Sequence, residues 1–84
     1  MNTTDGFIEK CKELIVDYTN GGTEQISSKE VYVVWLSKTL QNTKGLFSTT
    51  ISDGMYYELT YNGDKKELYF DAYKKHENVC FFIK

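Results

Sequence analysis

Residues 55–73, MYYELTYNGDKKELYFDAY, carry the clearest structural signal in this chain. Apolar and polar residues alternate on both sides of Asn62-Gly63, and a period of two is typical of half-buried β-strands. Asn-Gly between two such runs is the strongest short-range signal of a β-hairpin, because both residues accept the positive φ of a type I′ turn. The sequence therefore predicts an antiparallel hairpin with a type I′ turn and a loop of two or four residues at Asn62-Gly63.

The alternation also assigns the hairpin side chains to two faces of a sheet. The predicted inner face is apolar enough to form a core: Met55, Tyr57, Leu59, Tyr61, Leu68, Phe70 and Ala72. The predicted outer face mixes charges with three tyrosines: Tyr56, Glu58, Thr60, Lys65, Glu67, Tyr69, Asp71 and Tyr73. Because a slip of one residue exchanges the two faces, burial of the apolar set fixes which face is which.

Residues 6–19 predict an amphipathic helix, since their apolar side chains recur at helical spacing. The stripe comprises Phe7, Ile8, Cys11, Leu14, Ile15 and Tyr18. Gly21 and Gly22 are expected to end the helix, and the stripe is expected to pack on the inner face of the sheet. The predicted fold class is therefore α+β, with one N-terminal helix packed on a four- to five-stranded antiparallel β-meander.

The remaining strands are predicted at residues 30–41, 46–51 and 79–83, with a turn at 42–45. A three-residue loop at 52–54 is favoured because it pairs Phe47 with Leu59 and Ile51 with Met55, which buries both side chains. Each such burial is worth roughly 1.5–3 kcal/mol. The same register pairs Leu40 with Phe47. It predicts that Tyr32, Val34, Leu36 and Lys38 face inward, and that Val33, Trp35, Ser37 and Thr39 face outward.

The composition indicates a small globular protein that forms a single domain over residues 1–84. The net charge is −2 and all ten basic residues are lysines, so the chain lacks the arginine forks that phosphate and base recognition favour. Nucleic acid is therefore a disfavoured partner. No signal peptide and no apolar run of about 18 residues is found, so we expect a cytoplasmic protein without a membrane partner. Cys11 and Cys80 are then expected to be reduced, buried thiols.

No motif in the sequence points to catalysis, a metal or a cofactor. His76 is the only histidine, and one histidine with two distant cysteines does not make a zinc site. Glu58 and Glu67 share the outer face, but an exposed sheet lacks the pocket that a catalytic carboxylate pair needs. We therefore expect a protein that is not an enzyme and needs no cofactor.

The aromatic residues of the outer face are the feature most suggestive of function. Aromatic anchors rimmed by charge are typical of partner surfaces. The predicted partner-binding residues are Trp35, Tyr56, Tyr69, Tyr73, Glu58, Glu67 and Asp71. Assembly of a homo-oligomer through this face is one version of the hypothesis. The alternative is that cross-strand aromatic pairs only stabilise the sheet.

The chain also resembles a family of small uncharacterised proteins from phages and prophages of low-GC Gram-positive bacteria. The matching pieces lie within residues 31–78: VYVVW, KTLQN, the STT and DGMYYE segments, and YNGDK followed by DAYKK. The resemblance assigns no activity and no catalytic residue. It implies a viral accessory protein, and such proteins often bind and disable a host factor.

The leading prediction is a non-enzymatic phage or prophage protein that binds and inhibits a bacterial host protein, for example as a counter-defence inhibitor of an immune protein. One alternative is an oligomeric sponge that sequesters a small nucleotide signal, with Lys38, Thr49 and Tyr57 lining its pocket. Another alternative is a nucleic-acid-binding accessory protein, which the charge of the chain disfavours.

Overall fold

The computed structural model describes residues 4–21, 25–51, 53–74 and 82. They form helix α1 (Thr4–Asn20), a 3₁₀ turn (Ser28–Glu30) and strands β1 (Val31–Thr39), β2 (Asn42–Thr49), β3 (Met55–Asn62) and β4 (Glu67–Lys74). The strands form one antiparallel sheet in the order β1-β2-β3-β4. The predicted α+β fold with an N-terminal helix is confirmed. The strand predicted at 79–83 falls outside the described residues, apart from Phe82, which is exposed and not in a strand.

Helix α1 packs its apolar stripe against the inner face, as its periodicity predicts. Phe7, Cys11 and Ile15 are fully buried, and Ile8 and Leu14 are partly buried. Tyr18, the last residue of the stripe, stays about half exposed while its ring contacts the rings of Tyr57 and Phe70, at centroid distances of 5.9 and 5.4 Å.

The C-terminal end of α1 is tied to the segment that leads into the sheet. The Asn20 side chain accepts a hydrogen bond from the Ile26 backbone N–H at 2.8 Å and donates one to the Ile26 carbonyl at 3.2 Å. These two bonds satisfy both backbone groups of Ile26, so its side chain can be buried without leaving them unpaired.

The inner face of the sheet supplies the other half of the core. Phe47, Tyr57 and Leu59 are buried, and the Phe7 ring lies 6.4 Å from that of Phe47. Partly buried residues of β3 and β4 pack around this centre: Met55, Tyr61, Leu68, Phe70 and Ala72. The predicted inner face of the hairpin is therefore confirmed.

The turn between β3 and β4 differs from the predicted type I′ turn. Asn62 pairs with Glu67, which leaves a four-residue loop, one of the two predicted lengths. Lys66, not Gly63, adopts a positive φ, of 55°. The Asn62 carboxamide oxygen accepts backbone hydrogen bonds from Asp64 and Lys65, so the side chain closes a turn of another type. Lys65 consequently lies in the loop instead of on the outer face.

The turn between β1 and β2 was also predicted wrongly. Thr39 pairs with Asn42, so the turn is Leu40-Gln41 and the residues predicted as a turn belong to β2. Leu40 adopts a φ of 55° and is exposed, so it does not pair with Phe47. The alternation of apolar and polar residues in β3 and β4 did not determine the position of this turn.

The first half of β1 has its side chains on the opposite faces from those predicted, because the strand contains a β-bulge. Val33 pairs with Phe47 and Trp35 with Leu46, so Val34 is an extra residue without a partner in β2. Because one residue is inserted, Tyr32 lies on the outer face and Val33 on the inner face, the reverse of the prediction. After the bulge, the predicted faces hold: Leu36 and Lys38 are inner, and Trp35, Ser37 and Thr39 are outer. Lys38 is exposed, because it lies on the edge strand.

The connection between β2 and β3 is longer than the predicted loop at 52–54. Phe47 pairs with Tyr57 instead of Leu59, and the strands stop at Thr49 and Met55. The observed register differs from the predicted one by two residues, so each side chain keeps its predicted face. Phe47 is buried and Ile51 is partly buried. Burial cannot distinguish registers that differ by two, because both keep the same face inward.

Hydrogen bonds fix both ends of this connection. The Ser48 hydroxyl donates to the Met55 carbonyl at 2.9 Å, and the Thr50 N–H donates to the Glu30 carbonyl at 2.9 Å. Gly54 has the predicted positive φ, here 70°. The Asp53 carboxylate accepts a hydrogen bond from the Met55 N–H at 3.0 Å.

We expect Gly63→Ala to destabilise the fold by about 1–3 kcal/mol, because an added Cβ would overlap the Gln41 carbonyl. That carbonyl accepts a hydrogen bond from the Gly63 N–H at 2.9 Å, which joins the two hairpins. Chemical denaturation measures the change. Asp64→Ala, in the same loop with an exposed side chain, is the control and should stay within about 0.5 kcal/mol of the wild type. An unchanged stability of Gly63→Ala would show that the hairpins do not meet there.

We expect the Cys11 thiol to resist modification in the native protein, since burial raises its pKa to about 12. The thiolate is the reactive form, and a raised pKa keeps the group protonated at pH 8. In a Cys80→Ser background, a thiol-specific chromogenic reagent should label Cys11 only after denaturation. Rapid labelling of the folded protein would contradict the burial of this residue.

Candidate functional site

The outer face is the side of the sheet opposite α1, and strand pairing arranges its side chains in four rows. The row nearest the β2–β3 connection contains Tyr32, Ser48, Tyr56 and Tyr73. The next contains Trp35, Leu46, Glu58 and Asp71, followed by a row of Ser37, Lys44, Thr60 and Tyr69. The last contains Thr39, Asn42, Asn62 and Glu67. All seven predicted partner-binding residues therefore lie on this face.

The aromatic rings of the outer face are held apart from the core and remain accessible. Tyr69 and Tyr73 on β4 are 54% and 46% exposed, and Trp35 on β1 is 40% exposed. Tyr56 stacks on Tyr73 across the β3–β4 pair, with centroids 6.2 Å apart and planes at 21°. This stack supports the expectation that some rings stabilise the sheet, whereas Trp35 and Tyr69 make no ring contact among the described residues.

Sequence reasoning missed Tyr32 as a member of this surface. It is 47% exposed and shares a row with Tyr56 and Tyr73. The signal was present in the run Val31–Leu36, where apolar residues do not alternate. A bulge is one way to interrupt alternation in such a run, because it changes the face of every residue before it.

The charges of the outer face are predominantly acidic and only partly neutralised. Glu58 and Asp71 stand directly opposite each other, an arrangement in which like charges repel. Lys44 approaches Glu58, with Nζ 3.4 Å from Oε1, but Asp71 has no ion-pair partner in the described part of the chain. The Tyr69 hydroxyl donates a hydrogen bond to Glu67 at 2.9 Å, and this bond raises the pKa of the tyrosine.

A cleft of about 410 Å³ opens on the outer face beside Trp35. Apart from Lys44, the residues around the Trp35 ring have short hydroxyl or amide side chains, which leaves a depression over β1 and β2. The lining residues are Trp35, Ser37, Thr39, Asn42, Thr43, Lys44 and Thr60. An apolar wall with several hydrogen-bonding groups at its rim is suited to receive one side chain of a partner.

The alternative ligand pocket of Lys38, Thr49 and Tyr57 is not assembled within one chain. Lys38 is exposed and stands opposite Thr43, six residues along β2 from Thr49. Tyr57 is buried, and its hydroxyl lies 3.5 Å from the Thr19 hydroxyl. The Thr49 hydroxyl is buried without a hydrogen-bond partner among the described residues. Because Thr49 and Tyr57 are both buried, these three residues do not form an open pocket in the structure.

A second cleft, of about 540 Å³, lies between α1 and the 3₁₀ turn. Its walls carry three carboxylates and one lysine and show no arrangement typical of catalysis: Glu9, Lys12, Glu13, Val16, Asp17 and Ser28. No cluster of three metal-ligating side chains occurs among residues 4–21, 25–51, 53–74 and 82. His76 and Cys80 lie outside these residues. No helix in the described part of the chain is long and apolar enough to span a membrane.

Comparison with known proteins places the chain in a family without assigning it a function. Neither the curated proteins nor the solved structures include a significant match. A family described as "Family of unknown function (DUF6275)" matches residues 8–83. The match includes all four strands and all of α1 except its first turn. Because it covers most of the sequence, the chain belongs to the DUF6275 family.

Proposed function

We propose that this chain is a non-enzymatic binding protein that holds a basic surface of a partner protein on its outer face. The observation that carries the proposal is the combination of exposed rings and unneutralised carboxylates on the face that α1 leaves uncovered. Neither feature is needed for the core, which is built on the other side of the sheet.

The exposed rings supply the anchors of the proposed interface. Tyr69 and Tyr73 lie on an edge strand, and Trp35 forms one wall of the 410 Å³ cleft. An aromatic side chain buries about 150–250 Å² when it is covered, and such rings dominate the energetics of protein interfaces. The cleft beside Trp35 would take a single anchoring side chain from the partner, while the tyrosines would pack on a flatter part of its surface.

The charges of this face select the kind of partner. Glu58, Glu67 and Asp71 lie on it, and Lys44 is the one basic residue among the four rows. A surface rich in lysine or arginine would be steered toward these carboxylates, and a cation could also pack on the Tyr56–Tyr73 stack. Two copies of the chain meeting by this face would instead bring like charges together, so a different protein fits better than a second copy.

The resemblance to phage and prophage proteins adds the biological setting to this proposal. The partner would be a bacterial host protein in the cytoplasm, and occupation of its surface would inhibit it, for example as a counter-defence measure. The nucleotide-sponge alternative lacks a pocket within one chain, and the acidic outer face is unfavourable for nucleic acid.

We expect Glu67→Lys combined with Asp71→Lys to abolish capture of the partner. The substitutions reverse the charge of the face while leaving the core untouched, since both side chains are exposed. Tagged protein expressed in the bacterial host is purified together with its bound proteins, which are then identified by mass spectrometry. Purified partner is titrated at low and high salt, and binding should weaken as salt rises.

The control is Glu9→Lys combined with Glu13→Lys on the exposed side of α1, which changes the net charge by the same amount. This variant should keep the partner.

Tyr69→Ala, which removes one exposed ring, should weaken binding at least about tenfold without a change in melting temperature. A partner that is retained by the outer-face variant and lost by the helix variant would overturn the proposal.

A further inference from the structure

The two edges of the sheet differ in how they are protected. β1 and β4 are the edge strands, and no strand in the described part of the chain pairs with their free sides. Edge strands present unpaired backbone donors and acceptors, and charged side chains commonly keep other chains away. β4 carries such charges along its length: Glu67, Asp71 and Lys74. From Val31 to Ser37, β1 carries none.

The unguarded edge is also apolar and accessible. Four consecutive hydrophobic residues of β1 are exposed to similar extents: Tyr32 47%, Val33 36%, Val34 44% and Trp35 40%. These residues include side chains of both faces. They are exposed because β1 lies at the edge of the sheet, and not because one face is uncovered. A strand that is both unpaired and apolar is suited to extension of the sheet by another strand.

We propose that β1 pairs antiparallel with β1 of a second copy of this chain, which joins two sheets into one of eight strands. The bulge argues for this occupant. A regular strand alternates throughout, so it can match the faces of β1 on one side of Val34 but not on the other. A second copy carries the same interruption at the same place.

The register centred between Val33 and Val34 matches the faces on both sides of the bulge. It places Tyr32 opposite Trp35 of the second copy, so that an outer-face ring meets an outer-face ring. It also places Val31 opposite Leu36, both on the inner face, and Val33 opposite the bulge residue Val34. No charged residue stands opposite another within this run. Aromatic cross-strand pairs of this kind stabilise antiparallel pairing.

Self-pairing at the other edge would be opposed by charge. An antiparallel pair centred on Tyr69 of β4 would bring Glu67 of each copy opposite Asp71 of the other. The dimer axis is therefore placed at β1. This arrangement leaves both outer faces open and side by side, and it does not depend on the function proposed for them.

Sedimentation velocity and tryptophan emission test the dimer on the full chain without any partner. Trp35 is the only tryptophan, so its emission reports on the proposed interface directly. We expect a species of twice 9.8 kDa at tens of micromolar. Dilution should return it to the monomer with a red shift of the emission, because the ring becomes exposed to water.

Val34→Lys should remove the dimer at concentrations where the wild type is dimeric, because it places a charge in the apolar pairing zone of both copies. Tyr69→Lys makes the same change of charge on the β4 edge and should keep the dimer. Circular dichroism checks that both variants are folded. If Val34→Lys is unfolded, the wild-type dilution decides, and an emission that does not change with concentration overturns the proposal. A wild type that is monomeric throughout, or a dimer lost in Tyr69→Lys but kept in Val34→Lys, also overturns it.

Discussion

Burial of the helix stripe on one face of the sheet is the interaction on which the rest of this structure depends. Phe7, Cys11 and Ile15 lie against a centre formed by Phe47, Tyr57 and Leu59. A small chain has few apolar side chains to place in a core, so these must be close together for the fold to be stable. With a single helix in the described part of the chain, only one face of the sheet can be covered this way, and the outer face is left to solvent or to partners.

This division explains why the functional proposals concern the outer face and an edge. The inner side chains are apolar and accounted for by packing, and the Cys11 thiol is protonated because it is buried there. The outer side chains include rings and carboxylates that do little for packing, apart from the stacked Tyr56 and Tyr73. The apolar free edge of β1 is a separate feature, because it comes from the position of the strand in the sheet order.

Contacts between hairpins account for the local geometry that sequence rules describe poorly. Gly63 matches the rule for a tight β-turn, yet its backbone does not use a positive φ. Its lack of a side chain instead allows the approach of the Gln41 carbonyl from the neighbouring hairpin. In the two hairpin turns, Lys66 and Leu40 adopt a positive φ although they carry side chains, so the backbone is strained where strand pairing requires it.

The periodicity of the sequence was sufficient to predict the helix, the inner face of β3 and β4, and the position on the outer face of the residues proposed to bind a partner. Apolar side chains must leave water, and a period of 3.6 or 2 dictates which of them can do so together. Periodicity could not predict the β2–β3 register, since pairings that differ by two residues bury the same side chains. It also could not predict the bulge at Val34, which moved Tyr32 to the outer face. Those features depend on contacts between strands, which form only once the strands have come together; the bond from the Ser48 hydroxyl of β2 to the Met55 carbonyl of β3 is an example.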